Sequence, residues 1–236
     1  MSLIGILKKT TLYKKYEEHN FKKNKAIKEA RSKYFKTEAE EMLKQISLAL
    51  NSKDIVFWLE FGTLLGYHRE HDFIKHDFDL DFGVYLEDAK KVRGALLANG
   101  FEIIYEYEAS DGGREECYKY KHTTVDIFYF RKNENCLYCN TFTAKSNLGF
   151  FGLVTKFKCL VKRIEIPNSG FVKTTYKNVE VYIPGDVEKH LIMHYGPYYM
   201  TPNPNFDYKK EATNITWHDY KDVQGILRVL KKVRFV

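Results

Sequence analysis

"KHDFDLDFGVYLED", Lys75 to Asp88, sets Asp77, Asp79 and Asp81 in alternation with Phe78, Leu80 and Phe82. In a strand alternate side chains share a face, so the three carboxylates would stand in a row above an apolar underside. Neighbours in such a row are ~7 Å apart, and at an effective dielectric of ~20 each adjacent pair repels by roughly 2 kcal/mol. A row of this kind calls for compensation, either by basic side chains or by a hard divalent cation with oxygen ligands, Mg2+ or Mn2+. The alternative without chemistry is an acidic strand edge facing solvent.

Downstream, "VDIFYF" places Asp126 on one strand face with Phe128 and Phe130, where a carboxylate is costly unless a cation or a salt bridge accompanies it. Upstream, "IVFWLEFG" reads as a buried strand ending at Gly62, with a short helix "TLLGYHRE" opening directly after it. Gly62 and Thr63 then stand at a strand-to-helix junction, where helix N–H groups attract anions. A Gly-Thr pair alone is a weak motif, since most such junctions are ordinary turns.

Thr37 is expected to cap a helix over "TEAEEMLKQISLALNSKD", and Gly100 to close one over "EDAKKVRGALLANG". Strands are expected at "FEIIYEYE", "ECYKYKHT", "TVDIFYF" and "CLYCNTFTA", and a helix from about Asp186 to Gly196 before a Pro-rich loop. Lys145 to Tyr182 shows no clear pattern. The alternation predicts an α/β or α+β fold, a mixed sheet flanked by helices.

The chain has 236 residues and a formal charge of +7, and that charge is unevenly spread. Residues 1–36 hold eleven Lys/Arg against three Glu, a net of +8, so the other 200 residues sum to about −1. A basic helical arm of this kind, with Leu12, Tyr13 and Tyr16 on it, suits a peripheral contact with anionic lipid, at ~1 kcal/mol per basic residue; a merely solvated helix is the alternative. The basic tail "LRVLKKVRFV" repeats the theme. The only apolar N-terminal run, Leu3 to Leu7, is too short for a signal or a membrane span. Four cysteines without a secretory signal suggest reduced thiols and a cytoplasmic protein, with the arm's peripheral contact at the inner membrane face.

Taken together, "FWLEFGTLLGYHREHDFIKHDFDLDFGVYLED", "VDIFYF" and "IPGDVEKHLIMHYGPYYMTPNP" resemble the LicD/fukutin family of phosphotransferases with a nucleotidyltransferase fold. Gly62 to Gly66, Arg69, Phe73-Ile74, Asp77 to Asp81, Tyr195-Gly196 and Met200-Thr201-Pro202 follow the family's order. The charge distribution sets off an arm over 1–36. The resemblance, which covers most of residues 55 to 205, implies a catalytic domain over 37–236. It also implies metal-dependent transfer of a phosphorylated small alcohol from a CDP-linked donor (CDP-choline, CDP-ribitol or CDP-glycerol) to a sugar hydroxyl of a cell-surface glycan, such as capsule, lipopolysaccharide or teichoic acid, on a lipid-linked acceptor. Phe78 between the first two aspartates leans the match toward the fukutin-related, polyol-phosphate side.

In that reading Asp79, Asp81 and Asp126 hold Mg2+ or Mn2+, and either Asp77 or Asp126 takes the acceptor proton. Gly62 and Thr63 cradle phosphate, Arg69 clamps it or pairs with Glu70 or Asp72, and Tyr195 lines the pocket with His194. Lys75-His76 stands where the family has Pro-Trp, so His76 would seat the donor's head group differently. The zinc-binding cysteines of fukutin-related members have no counterpart, and the spacing of His68, His71 and His76 matches no usual zinc site. Two other classes compete: a nucleotidyltransferase acting on a nucleoside triphosphate, and a basic module that binds nucleic acid or membrane without catalysis. The second leaves four aspartates unexplained, so no nucleic-acid partner is expected.

Overall fold

Residues 11 to 51 contain neither glycine nor proline, and in the computed structural model they form one helix, α1 (Thr11–Asn51). The structure describes residues 11–134, 136–144, 156–203, 206, 211–219 and 221–231. Position 36/37 falls inside α1, and Thr37 is not a cap: its hydroxyl donates to the Tyr34 carbonyl at 2.9 Å, a bond a threonine makes in mid-helix. Phe35, Ala39, Met42, Leu43, Ile46 and Leu50 recur at helical spacing and are buried, so the second half of α1 is a core helix. Leu3 to Leu7, and the side chains of Leu12, Tyr13 and Tyr16, lie outside the described residues.

After α1 come β1 (Phe57–Leu59), α2 (Phe61–Glu70), β2 (Asp79–Tyr85), a 3-10 turn (Leu86–Asp88), α3 (Ala89–Ala98), β3 (Glu102–Ala109), β4 (Arg114–Tyr120), β5 (Thr123–Lys132) and β6 (Cys136–Ala144). Then follow β7 (Lys156–Pro167), β8 (Phe171–Tyr176), β9 (Val179–Pro184), α4 (Val187–Tyr195), β10 (Ile215–Trp217) and β11 (Gly225–Val229). The mixed α/β class is therefore observed. One sheet runs β10-β7-β11-β3-β4-β5-β2-β1-β9-β8, and β6 joins β5 to β7. The pairs β2–β5 and β1–β9 are parallel; the remaining described pairs are antiparallel. Because β6 links β5 with β7, the neighbours β4, β5, β6, β7, β11 and β3 close a circuit, and β2, β1, β9 and β8 extend from it.

Strand alternation divides the sheet into two apolar faces. Leu80, Phe82 and Val84 of β2 and Val125, Ile127 and Tyr129 of β5 pack with α1 and α3. Trp58, Phe128 and Phe130 belong to a second cluster with Leu137, Ile164 and Ile166, and Asp79, Asp81 and Asp126 alternate onto that side. Gly83 is required there, since a Cβ on it would stand 2.2 Å from Trp58 Cε2. The four cysteines are free thiols.

The basic tail differs from its expectation. β11 lies between β3 and β7, Arg228 pairs with Glu106 at 3.0 Å and with Glu108, and Lys231 pairs with Glu102 at 2.6 Å. These charges pair with acidic residues of β3; Lys232 and Arg234 lie outside the described residues.

Candidate active site

In the parallel ladder between β2 and β5, Asp81 stands opposite Asp126 and Asp79 opposite Thr124. The row of three is not formed by one strand, because β2 opens at Asp79. Asp77 precedes it in a turn closed by its own N–H on the Ile74 carbonyl at 2.9 Å, yet it still reaches the cluster through Gly62. A Cβ on Gly62 would stand 2.8 Å from Asp77 Oδ2 and 3.4 Å from Asp81 Oδ2, so only glycine lets these carboxylates approach the first turn of α2.

The strand expected to end at Gly62 stops at Leu59, and Glu60 caps α2 by accepting from the Phe61 N–H. Glu60 is 1% exposed and also accepts from Trp58 Nε1 at 2.8 Å and bonds His190 Nε2 at 2.7 Å. Burial works to raise its carboxyl, but His190 and the Trp58 donor outweigh this and hold it below the usual range. Thr63 is buried, and its hydroxyl accepts from the Asp81 N–H at 2.8 Å. Its role is to tie α2 to β2; it does not face outward as a phosphate cradle.

Burial, then the charges of Asp126 and Asp77, pushes the Asp79 carboxyl well above its ordinary range. Burial, then Asp79, Asp77 and Asp126, does the same to Asp81. Burial also raises Asp126, against the lowering effect of Cys117, Arg31 and the Tyr105 hydroxyl, which donates to it at 3.3 Å. A cluster of this charge calls for a cation, and α1 supplies one. Arg31 Nη2 lies 3.3 Å from Asp79 Oδ2 and donates to Thr124 Oγ1 at 2.8 Å, while its guanidinium lies over the Phe78 ring at 4.1 Å. The donor set suits a hard divalent ion: carboxylates that repel one another, against a glycine whose missing Cβ leaves room. Among the described residues, no three His, Cys, Asp or Glu side chains already stand at ligand spacing.

Beside this cluster lies a groove of about 1590 Å³. One wall is the α1 face carrying Lys33 and Lys36; the other carries Arg69, Tyr195 and Tyr198, with His76 and Asp77 at the edge. Arg69 pairs with Glu70 at 2.7 Å and donates to the Tyr199 carbonyl at 3.2 Å, while Asp72 pairs with Lys177. Tyr195 stands by the aspartates, its hydroxyl pushed up first by burial and then by Asp81 and Asp77. Tyr198 is 83% exposed, whereas His194, expected in the pocket, is 4% exposed. His194 bonds Asn214 Oδ1 at 2.8 Å.

Sequence reasoning missed Arg31, Thr124, Glu60 and Glu115, a buried acid on β4 pushed well up by burial and by Asp126. For Arg31 a signal existed: it is the single arginine among eleven basic residues of the arm, and arginine is favoured for partly buried, stacked ion pairs.

Residues 54–157 match the family described as "LicD/FKTN/FKRP, nucleotidyltransferase domain". This stretch is a LicD-family domain. It contains β1 to β6, and with them every aspartate of the cluster. Over 183 residues the chain is 24% identical to the human "Ribitol-5-phosphate transferase FKTN", covering 77% of this chain and 37% of that protein. Over 49 residues it is 45% identical to the human "Ribitol 5-phosphate transferase FKRP", covering 20% and 10% respectively. The chain thus spans little more than a third of the fukutin relatives it matches. A solved structure, the lincomycin-bound adenylyltransferase LnuA, aligns over 57% of this chain and 73% of its own at 15% identity with a TM-score of 0.36, too slight a likeness to carry an argument. Among the described residues no helix is long and apolar enough to cross a membrane.

Proposed function

We propose that this protein transfers a phosphorylated small alcohol, a polyol phosphate such as ribitol phosphate ahead of phosphocholine, from a CDP-linked donor to a sugar hydroxyl of a glycan. The observation that carries this reading is the pairing of Asp81 with Asp126 across β2 and β5 inside a LicD-family domain. The relatives named as ribitol-phosphate transferases support the choice of alcohol.

Asp79, Asp81 and Asp126 would hold Mg2+ or Mn2+, which when bound neutralises the charge of the diphosphate. The remaining work falls to side chains already in place. Asp77 lines the groove and is the group best placed to accept the acceptor hydroxyl proton at a carboxylate oxygen. Lys33 and Lys36 draw the donor's phosphates into the groove, and Tyr195 and Tyr198 offer ring faces to a sugar or cytosine. Arg69, held by Glu70 and Tyr199, shapes the wall and presents positive charge to the same space.

A thermal-shift panel of CDP-ribitol, CDP-glycerol and CDP-choline, each with and without Mg2+, tests donor and metal together. Stabilisation by CDP-ribitol only with Mg2+, followed by CMP release on addition of a glycan acceptor, is the expected result. Pyrophosphate release from a nucleoside triphosphate, with no response to CDP donors, would replace the proposal by nucleotidyl transfer.

A further inference from the structure

Ion pairs that only dock a helix are commonly formed by flexible side chains at its solvent edge, and contribute little. Arg31 is placed differently. Its guanidinium lies over Phe78, it bonds Thr124 of β5 and Asp79 of β2, and its side chain is 22% exposed. Asp79 is the first residue of β2 and Thr124 the second of β5. The side chain therefore reaches from α1 round the strand starts to the face that bears the aspartates. Phe78, the residue that interrupts the aspartates in the sequence, is its platform. Arg31 also acts on Asp126, whose carboxyl it favours in the charged form. On the same helix, Glu29, Ser32, Lys33 and Lys36 line the groove, as does Phe78, the ring on which Arg31 rests, so Arg31 adjoins the groove wall through its platform and its helix neighbours.

We propose that Arg31 is a resident counter-cation of the aspartate cluster, which releases Asp79 to a divalent ion and turns to the diphosphate of the incoming nucleotide. This rests on the metal-dependent reading above. A guanidinium suits both positions, since its planar fork pairs with carboxylate and phosphate alike and stacks on an aromatic ring. The exchange would couple the two ligands. Divalent ion alone must compete with Arg31 for Asp79, whereas ion and nucleotide together leave every charge paired. Arg31 is thus a positioning residue, set apart from the carboxylates that would hold the ion.

Isothermal titration of the full chain with Mn2+ alone, with CDP alone and with CDP in saturating Mn2+ reads each part. For Arg31→Gln, Mn2+ alone is expected to bind about three- to tenfold tighter, because its competitor is gone, and CDP in Mn2+ at least tenfold weaker. Arg31→Lys should recover part of the CDP affinity, and Phe78→Leu, which removes only the platform, should move both values the same way by less. Circular dichroism and melting of each variant identify any misfolded one, and the Phe78→Leu pair of affinities still decides the matter if Arg31→Gln does not fold. Unchanged Mn2+ and CDP affinities in Arg31→Gln, or weaker Mn2+ binding, would overturn the exchange and leave a helix-docking ion pair. Absence of Mn2+ and CDP binding by the unaltered protein would instead overturn the metal-dependent reading itself, and the exchange with it.

Discussion

The Thr63 hydroxyl accepts a 2.8 Å hydrogen bond from the backbone N–H of Asp81, which fixes the first turn of α2 to the strand that carries the acidic cluster. Both groups are withdrawn from bulk water, so the bond sets the distance between the Gly62 backbone and the carboxylates. Thr63→Val removes the acceptor and leaves a buried amide without a partner, a loss of about 1–3 kcal/mol. Thr63→Ser should restore most of it. Urea unfolding of the two variants checks this; equal stability would mean the bond is incidental.

Gly62→Ala tests the close approach of backbone and carboxylate. The added methyl meets Asp77 Oδ2 at 2.8 Å, the far end of a side chain that can turn away, so the fold should survive with Asp77 displaced. Transfer, followed as CMP release, should fall at least tenfold, about 1.4 kcal/mol of transition-state stabilisation. A variant with full activity would show that the position of Asp77 is unimportant to the reaction.

Asp81→Asn separates catalysis from stability. The folded protein holds the Asp81 proton more tightly than the unfolded chain does. Its contribution therefore favours folding below the unfolded carboxyl value of about 4 and is lost as pH rises toward the raised folded value. Without added divalent ions the variant should melt above the unaltered protein at pH 8, by about 2–4 °C for each kcal/mol relieved, and the gap should shrink at pH 5. Transfer should be abolished, and Mn2+ should raise the melting temperature of the unaltered protein only. A variant that melts lower at pH 8 would mark Asp81 as structural.

His194 works in the opposite direction. Burial pushes its imidazole down to about 4, against the 6.5 of the free side chain, so the folded state resists protonation. Stability from this source is present above pH 6.5 and is lost as pH falls toward 4, by up to about 3 kcal/mol. His194→Gln, which keeps a hydrogen-bonding side chain toward Asn214, should flatten that acid limb in urea titrations between pH 7 and 4.5. An unchanged limb would assign the acid loss to other groups.

Much of the local structure was legible. "DLDFGVY" reads as a strand and is β2, because apolar and acidic residues alternate in a run bounded by a turn and a helix. The helix over "DVEKHLIMHYG" has its Asp186 cap and a Gly196 stop at a φ of 82°, each a local signal. β7, β8 and β9 were illegible because charged residues interrupt their runs. Lys162 in β7 is buried with its ammonium over the Trp217 ring at 4.4 Å, and only the fold brings that ring there. α1 misled for a related reason: Thr37 before acidic residues imitates a helix start, although nothing before it ends the preceding turns.

The sequence by itself determined the residue types at the site and their spacing: an acidic strand, a second aspartate in an apolar strand and a glycine next to a helix start. Local chemistry settles such features within a few residues. Which carboxylates meet was decided only by the tertiary structure, through the parallel register of Asp81 with Asp126 and the turn that returns Asp77 to Gly62. The same holds for the partner of the negative charge. Arg31 lies 48 residues from Asp79 in the chain, and a basic residue on a helix looks alike in sequence whether it faces water or a carboxylate. Packing of α1 across the sheet chooses between the two, because a charge leaves water only where folding has placed its opposite.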